Sequence, residues 1–328
     1  MAERKNGAIV YWRNLSPELA IFRLSPEKGS YFPSYRPGQY MALRRDNCGL
    51  TKRVTDADGN LSYVPDLDEN GKQKYGPVTH SYSISSAPFE SLQEGYLEFY
   101  IILEKNPRGE SGRFTGSLFH EQPPENLTLT YFNRITGDFT LDKRAAGFRG
   151  VLLLGTGTGL APFRAMIKQL YFEALQGRRD DVQYTLLQAN RTRGELGYHD
   201  ELCAIEASQA FDFVYVPSVS RPAPQDLSDP GMGKGRANNL LRTLFEMPLK
   251  EEQDLENAIA SGGDVAARQA ALERTIRPVL PVQHAPRKLR ERLNPAHTVI
   301  LNCGNPSAMA DVQAIADANH FRFEKEDW

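Results

Sequence analysis

The sequence is short of the residues that build disulfide scaffolds and metal sites. It holds three cysteines, Cys48, Cys203 and Cys303. Their odd number and scatter argue against a disulfide framework, and without a C-x-x-C pair nothing suggests zinc or an iron–sulfur cluster. The histidines show no ligand spacing and no Ser–His–Asp arrangement stands out, so no metal is expected. No apolar run approaches the roughly 20 residues of a membrane span, and the opening MAERKNG lacks a secretion signal's apolar stretch. Excess charge is missing as well: 39 basic against 41 acidic residues leave −2. That balance speaks against nucleic-acid binding and against a polybasic membrane surface. A cytoplasmic chain is expected.

What is present is an ordinary globular composition in 328 residues, more than the roughly 250–300 that one core organises. Two domains are predicted, 1–148 and 149–328. In the first, short runs at Ala8–Trp12, Leu19–Leu24, Tyr40–Leu43, Ser81–Ser85, Leu97–Leu103 and Leu127–Phe132 are separated by Pro, Gly, Asn and Asp. This spacing predicts a closed or nearly closed antiparallel β-barrel, with Phe114–Glu121 as its one clear helix. In the second, strands at Val151–Leu154, Val182–Gln188, Phe211–Val216 and Thr298–Asn302 alternate with helices at Phe163–Gln176, Glu195–Ser208 and Ala308–Asn319. That rhythm predicts an α/β domain with a parallel, Rossmann-like sheet. Residues 44–79 and 246–293 read as surface insertions, the latter with a helix from Asp264 to Ile276. Within the former, Asp66–Gly71 matches the start of a calcium loop, but its twelfth position would be Pro77, so a turn is expected.

The run Gly155-Thr156-Gly157-Thr158-Gly159-Leu160-Ala161-Pro162 lies between an apolar strand and an amphipathic helix. Glycines let backbone approach a phosphate, and the helix start offers free amides and the positive end of its dipole. Nucleotide binding is the expectation, against a bare tight turn. The next strand ends Gln188-Ala189-Asn190-Arg191, with no carboxylate for a ribose 2′-hydroxyl. Ser220-Arg221 and Arg236 add cations whose forked guanidinium suits a 2′-phosphate, which favours NADPH over NADH; each is otherwise a solvated surface arginine.

His80-Ser81-Tyr82-Ser83 followed by Gly112-Arg113-Phe114-Thr115 makes the likeness specific. With residues 155–162, Ser220-Arg221, Cys303-Gly304 and the closing Glu326-Asp327-Trp328, the chain resembles the ferredoxin–NADP(+) reductase family, in its bacterial branch. The resemblance covers nearly the whole chain in order, apart from the two insertions. It departs at His80, where the family carries arginine; a neutral histidine offsets less pyrophosphate charge, and Arg113 stands near to compensate.

The resemblance implies a flavoprotein that uses FAD and NADP(H). Tyr82 would pack on the isoalloxazine, Ser83 would lie near flavin N5, and Gly112–Thr115 would hold the FAD pyrophosphate. His80, Ser81 and Ile101 complete that side. Gly155, Thr156, Gly157, Thr158, Gly159, Pro162, Arg191, Ser220, Arg221, Arg236 and Gly304 would bind NADP. Cys303 would sit beside the nicotinamide, Glu326 would handle protons there, and Trp328 would stack on the flavin. The implied reaction is hydride transfer between nicotinamide C4 and flavin N5, with single electrons exchanged with a separate ferredoxin or flavodoxin. Two alternatives stand beside it: the reductase component of an oxygenase or haem-protein system, and a non-enzymatic flavin-binding module.

Overall fold

The computed structural model describes residues 3–55, 61–106, 109–120 and 127–326, and the chain falls into two compact units, Met1–Gly137 and Asp138–Trp328. The boundary precedes the expected 148/149. Residues 138–148 join the second unit because Phe139 packs on Phe163, ring centres 5.8 Å apart, and Arg144 pairs with Glu324 at 3.0 Å.

The first unit runs β1 (Arg4–Ser16), β2 (Leu19–Pro26), β3 (Tyr40–Gly49), β4 (Thr51–Thr55), β5 (Leu61–Pro65), β6 (Tyr75–Ser83), α1 (Pro88–Glu94), β7 (Leu97–Ile102), α2 (Arg113–Phe119) and β8 (Thr128–Thr136). Six strands form one antiparallel sheet in the order β6-β3-β8-β1-β2-β7. Its two edge strands nearly meet: Ile84, just past β6, bridges to Phe99, and the Ser85 amide donates to the Glu98 carbonyl at 2.8 Å. This is the nearly closed barrel the strand spacing predicts. Side chains two apart on a strand share a face, so Ala20, Phe22 and Leu24 meet Leu97, Phe99 and Ile101 in the core. Full burial of one such side chain stabilises by about 1.5–3 kcal/mol.

The segment 44–79 is less of an insertion than its polarity suggests. β3 continues to Gly49 and β6 begins at Tyr75, so both ends are sheet, and β4 with β5 forms a separate two-stranded ribbon. Asp66–Gly71 is the expected turn, with the Asp68 carboxylate accepting from the amides of Asn70 and Lys72. Asp58-Gly59-Asn60, a further turn signal in the sequence, lies outside the described residues.

The second unit comprises α3 (Leu141–Arg144), β9 (Gly150–Thr156), α4 (Leu160–Leu175), β10 (Gln183–Asn190), α5 (His199–Ser208), β11 (Phe213–Val219), α6 (Pro224–Ser228), β12 (Gly233–Lys234), α7 (Ala237–Leu244), α8 (Lys250–Ser261), α9 (Val265–Glu273), α10 (Pro286–Arg292), β13 (Thr298–Cys303), α11 (Pro306–Ala318) and β14 (Arg322–Lys325). All six strands are parallel, in the order β12-β11-β10-β9-β13-β14. Apolar residues of β9, β10 and β13 fill the core against α7 and α11.

The helix expected over Glu195–Ser208 begins four residues late. Side-chain amides of β10 claim the carbonyls that a longer helix would use: Asn190 Nδ2 donates to Glu195 O at 2.7 Å and the buried Gln188 Nε2 to Gly197 O at 3.1 Å. Tyr198 takes a left-handed φ of 63°, its ring facing the Arg164 guanidinium at 4.8 Å. The segment 246–293 holds three helices, and Asp264, the expected helix start, caps α9 by accepting from the Ala267 amide.

Candidate nucleotide and flavin sites

In open parallel sheets, ligands sit beyond the carboxyl ends of the strands. In the second unit the expected residues gather along that edge. Cys303 stands opposite Gly155 in register, Thr156 opposite Ala189, and Asn190 opposite Val219. Past the strand ends, the Arg221 amide donates to Arg191 O at 2.7 Å and the Gly235 amide to Val219 O at 2.9 Å. One edge therefore runs from Cys303 through the glycine loop to Arg191, Arg221 and Arg236.

The glycine loop is a short 3-10 turn, Gly157–Gly159, leading into the sixteen-residue α4. No side chain caps α4, and the Leu160 amide at its start is given to the Gly157 carbonyl of the preceding turn. Pro162 falls within that first turn, where its missing N–H costs nothing. Gly157, at φ 60°, faces open space, as a phosphate seat needs. Gly159 does the reverse: a Cβ there would lie 2.2 Å from the Cys303 carbonyl oxygen. Close approach of the loop to the end of β13 thus requires glycine. Gly304 faces the same constraint from the other side, since a Cβ would lie 2.2 Å from Thr156 Oγ1. That hydroxyl accepts from the Asn305 amide at 3.0 Å and ties the two segments together.

Cys303 is wholly buried, and its thiol donates to Glu326 Oε2 at 2.9 Å. Glu326 is itself 5% exposed. Burial pushes the Cys303 thiol well up, and the Glu326 carboxylate beside it adds to the shift. The thiol therefore stays protonated at neutral pH. The chain bends back to make this contact: β14 pairs with β13, and the Glu326 amide donates to Asn302 O.

The three arginines differ in their neighbours. Arg191 is held by Glu195, with Nε at 3.1 and 3.0 Å from the two carboxylate oxygens and Nη2 at 2.6 Å. Arg236 gives Nη1 to Glu251 at 2.9 Å. Arg221 is exposed and has no side-chain partner among the described residues. Sequence reasoning missed Glu195 and Glu251 as neighbours of the site. Glu195 lies four residues after Arg191, a readable signal; Glu251 lies in the 246–293 segment and carries none.

In the first unit, β6 ends with the expected His80-Ser81-Tyr82-Ser83. Tyr82 packs against Phe114 of α2, ring centres 5.3 Å apart, and His80 lies 6.1 Å from the same ring. Burial raises the Tyr82 phenol far above its usual range, with smaller additions from Glu104 and Cys48. Ser83 and Ile101 are buried, while His80 and Ser81 are exposed. Gly112 precedes α2, and Thr115 Oγ1 accepts from the Glu104 amide at 3.2 Å, fixing the turn. Arg113 is exposed and unpaired among the described residues. Trp328 lies outside the described residues.

A groove of about 790 Å³ at the opposite, amino-terminal edge of the parallel sheet is lined by Asp180, Asp212, Phe213 and His284 and holds none of these residues. Among the described residues no helix is long and apolar enough to cross a membrane, and no group of His, Cys, Asp and Glu is arranged to hold a metal.

Residues 153–255 match the oxidoreductase NAD-binding domain. A flavohemoprotein of Halalkalibacterium halodurans is 26% identical over 223 residues, 67% of this chain and 44% of that protein. The chain thus spans less than half the length of the flavohemoproteins it matches. A flavodoxin/ferredoxin–NADP reductase of Rhodobacter capsulatus is 34% identical over 151 residues, 46% of this chain and 47% of that one. In fold, the crystal structure of a ferredoxin NADP+ reductase from Neisseria gonorrhoeae, with bound FAD and NADP, superposes with a TM-score of 0.58 at 19% identity, covering 99% of both chains. The second unit thus matches an oxidoreductase NAD-binding domain, and the chain is similar in sequence to ferredoxin–NADP reductases and flavohemoproteins and shares, in its antiparallel half-barrel and parallel six-stranded sheet, the fold of a ferredoxin NADP+ reductase.

Proposed function

We propose that the protein is an FAD-dependent oxidoreductase that moves electrons between NADPH and a separate one-electron carrier, a ferredoxin or flavodoxin. The observation that carries the reading is the buried Cys303–Glu326 pair, packed against the glycine loop at the carboxyl edge of the parallel sheet. A neutral thiol held in place by a carboxylate offers the flat, uncharged nicotinamide a dry wall. The glycine loop and the uncapped start of α4 seat the dinucleotide phosphates. Arg191, Ser220, Arg221 and Arg236 hold the 2′-phosphate.

FAD belongs to the first unit. Tyr82, braced by Phe114, and Ser83 would hold the isoalloxazine, whereas Ile101 is taken up by the barrel core. Gly112–Thr115 with His80 and Ser81 would receive the pyrophosphate, and Arg113, without a partner among the described residues, would supply positive charge there. When bound, the flavin supplies the conversion between a two-electron hydride and single electrons. The three cysteines are free, which suits the reducing cytoplasm.

A second reading, the reductase part of a haem-protein or oxygenase system, is favoured by the flavohemoprotein match, which covers more of the chain than the ferredoxin-reductase matches do. Purified protein should be yellow and release FAD on denaturation. With NADPH it should reduce ferredoxin or flavodoxin faster than it reduces a haem domain. Recovery of FMN refutes the cofactor assignment, and a haem domain as the better acceptor selects the second reading.

A further inference from the structure

We propose that Glu195 and Glu251 weaken this chain's discrimination between NADPH and NADH, and that Arg221 carries most of what discrimination remains. The inference rests on the NADPH reading above and adds the side chains that tune it.

Three arginines follow neighbouring strand ends, yet the guanidiniums of two are already engaged. Glu195 is 3% exposed and Glu251 is 7% exposed. Glu251 Oε2 also accepts from Asn239 Nδ2 at 2.7 Å, and the Arg191–Glu195 pair shares three contacts within 3.1 Å. To give itself wholly to a 2′-phosphate, Arg191 or Arg236 would take its paired guanidinium away from a buried carboxylate, a costly change. The alternative is sharing. A guanidinium has five N–H donors, and Arg236 spends one on Glu251. Sharing sets carboxylate and phosphate, both anions, on one cation, so part of the gain is lost. Among the described residues Arg221 has no such competitor.

Glu251 opens α8, so this restraint comes from the 246–293 segment rather than from the sheet itself. The same segment is anchored beside the site, where Val279 and Lys234 exchange backbone hydrogen bonds at 2.9 Å in both directions. Lys234 is two residues from Arg236. The segment that looks like surplus in the sequence thus acts as the trim on nucleotide choice.

The test measures binding of adenosine 2′,5′-bisphosphate against 5′-AMP to the full FAD-loaded chain, by calorimetry, alongside the NADPH/NADH ratio of kcat/KM. Arg221→Ala should lower the preference for the 2′-phosphorylated probe about ten-fold or more. Glu251→Gln keeps the shape and one of the two acceptor oxygens but removes the charge, and should raise that preference about two- to five-fold. Glu195→Gln should act in the same direction. If Glu251→Gln does not fold, Arg236→Ala serves instead and should cost less than Arg221→Ala. A Glu251→Gln variant with unmoved or lowered preference overturns the proposal, as does a larger loss from Arg236→Ala. A wild-type chain indifferent to the 2′-phosphate overturns the NADPH reading, and this proposal with it.

Discussion

The two units prepare their candidate sites in opposite ways. In the first, the residues expected to meet a flavin sit on one strand end and one short helix, and their order comes from side-chain packing, Tyr82 on Phe114 above all. In the second, the expected residues lie on five separate strand ends and loops, and backbone geometry brings them together. Glycine lets the loop touch Cys303, Gly304 lets β13 touch Thr156, and amide-to-carbonyl bonds link Arg191, Arg221 and the loop before Arg236. A packing-built site loosens when a ring is removed. A backbone-built site fails when a single methyl group is added.

The largest expected effect follows from the first kind. Phe114 is 2% exposed and belongs to the barrel core, so Phe114→Ala should destabilise the first unit by about 3–5 kcal/mol. Urea unfolding should show the loss in one of two transitions, with nucleotide binding by the second unit retained; a common loss in both transitions would break the comparison. Next comes the opposite change. Gly159→Ala pushes a methyl into the Cys303 backbone and should cost about 1–3 kcal/mol in the second unit, together with most NADP⁺ affinity. Calorimetric titration with NADP⁺ checks it, and an alanine variant of normal affinity would show that the close approach is dispensable.

A smaller effect separates the sites by pH. The Cys303 thiol is raised by burial and by Glu326, so it keeps its proton where the unfolded chain has lost it. Above the ordinary thiol pKa of about 8.5 the unfolded state binds fewer protons, and stability must fall as pH rises. A single proton gives a slope of at most about 1.4 kcal/mol per pH unit. Cys303→Ala should flatten that alkaline slope in denaturant titrations between pH 8 and 10; an unchanged slope would place the titration elsewhere. The smallest effect concerns Ser83. Ser83→Ala should slow flavin reduction several-fold, the worth of about 1 kcal/mol for a lost hydrogen bond, with FAD still bound. Single-turnover kinetics at an unchanged rate would leave Ser83 a structural role.

Much of this arrangement is legible in the sequence, for identifiable reasons. Period-two apolar runs mark the barrel strands, and uninterrupted ones such as Val151–Leu154 mark the buried parallel sheet. The Gly155–Pro162 run declares its own turn, because only glycine accepts the backbone positions involved. What escapes is carried by polar residues with no periodicity. β3 and β6 extend into a stretch read as an insertion, since Arg44–Gly49 and Tyr75–Thr79 show little apolar alternation. α1 hides behind Pro88, though Glu90 closes a capping interaction with the Ala87 amide at 2.7 Å. The resemblance sets Cys303 and Glu326 at one site, but their direct contact across 23 positions is made by the pairing of β14 with β13. Glu251 escapes altogether, for nothing local to α8 points to Arg236.

The central claim is that the Cys303–Glu326 wall, the glycine loop and the flavin residues serve one passage of electrons from nicotinamide to flavin. Rapid anaerobic mixing of the FAD-loaded protein with NADPH, followed at the flavin's visible absorbance, tests it most directly. The account predicts that the band bleaches within a single turnover and that Cys303→Ala or Glu326→Gln slows the bleaching while FAD stays bound. A band that NADPH and NADH both leave intact would contradict it.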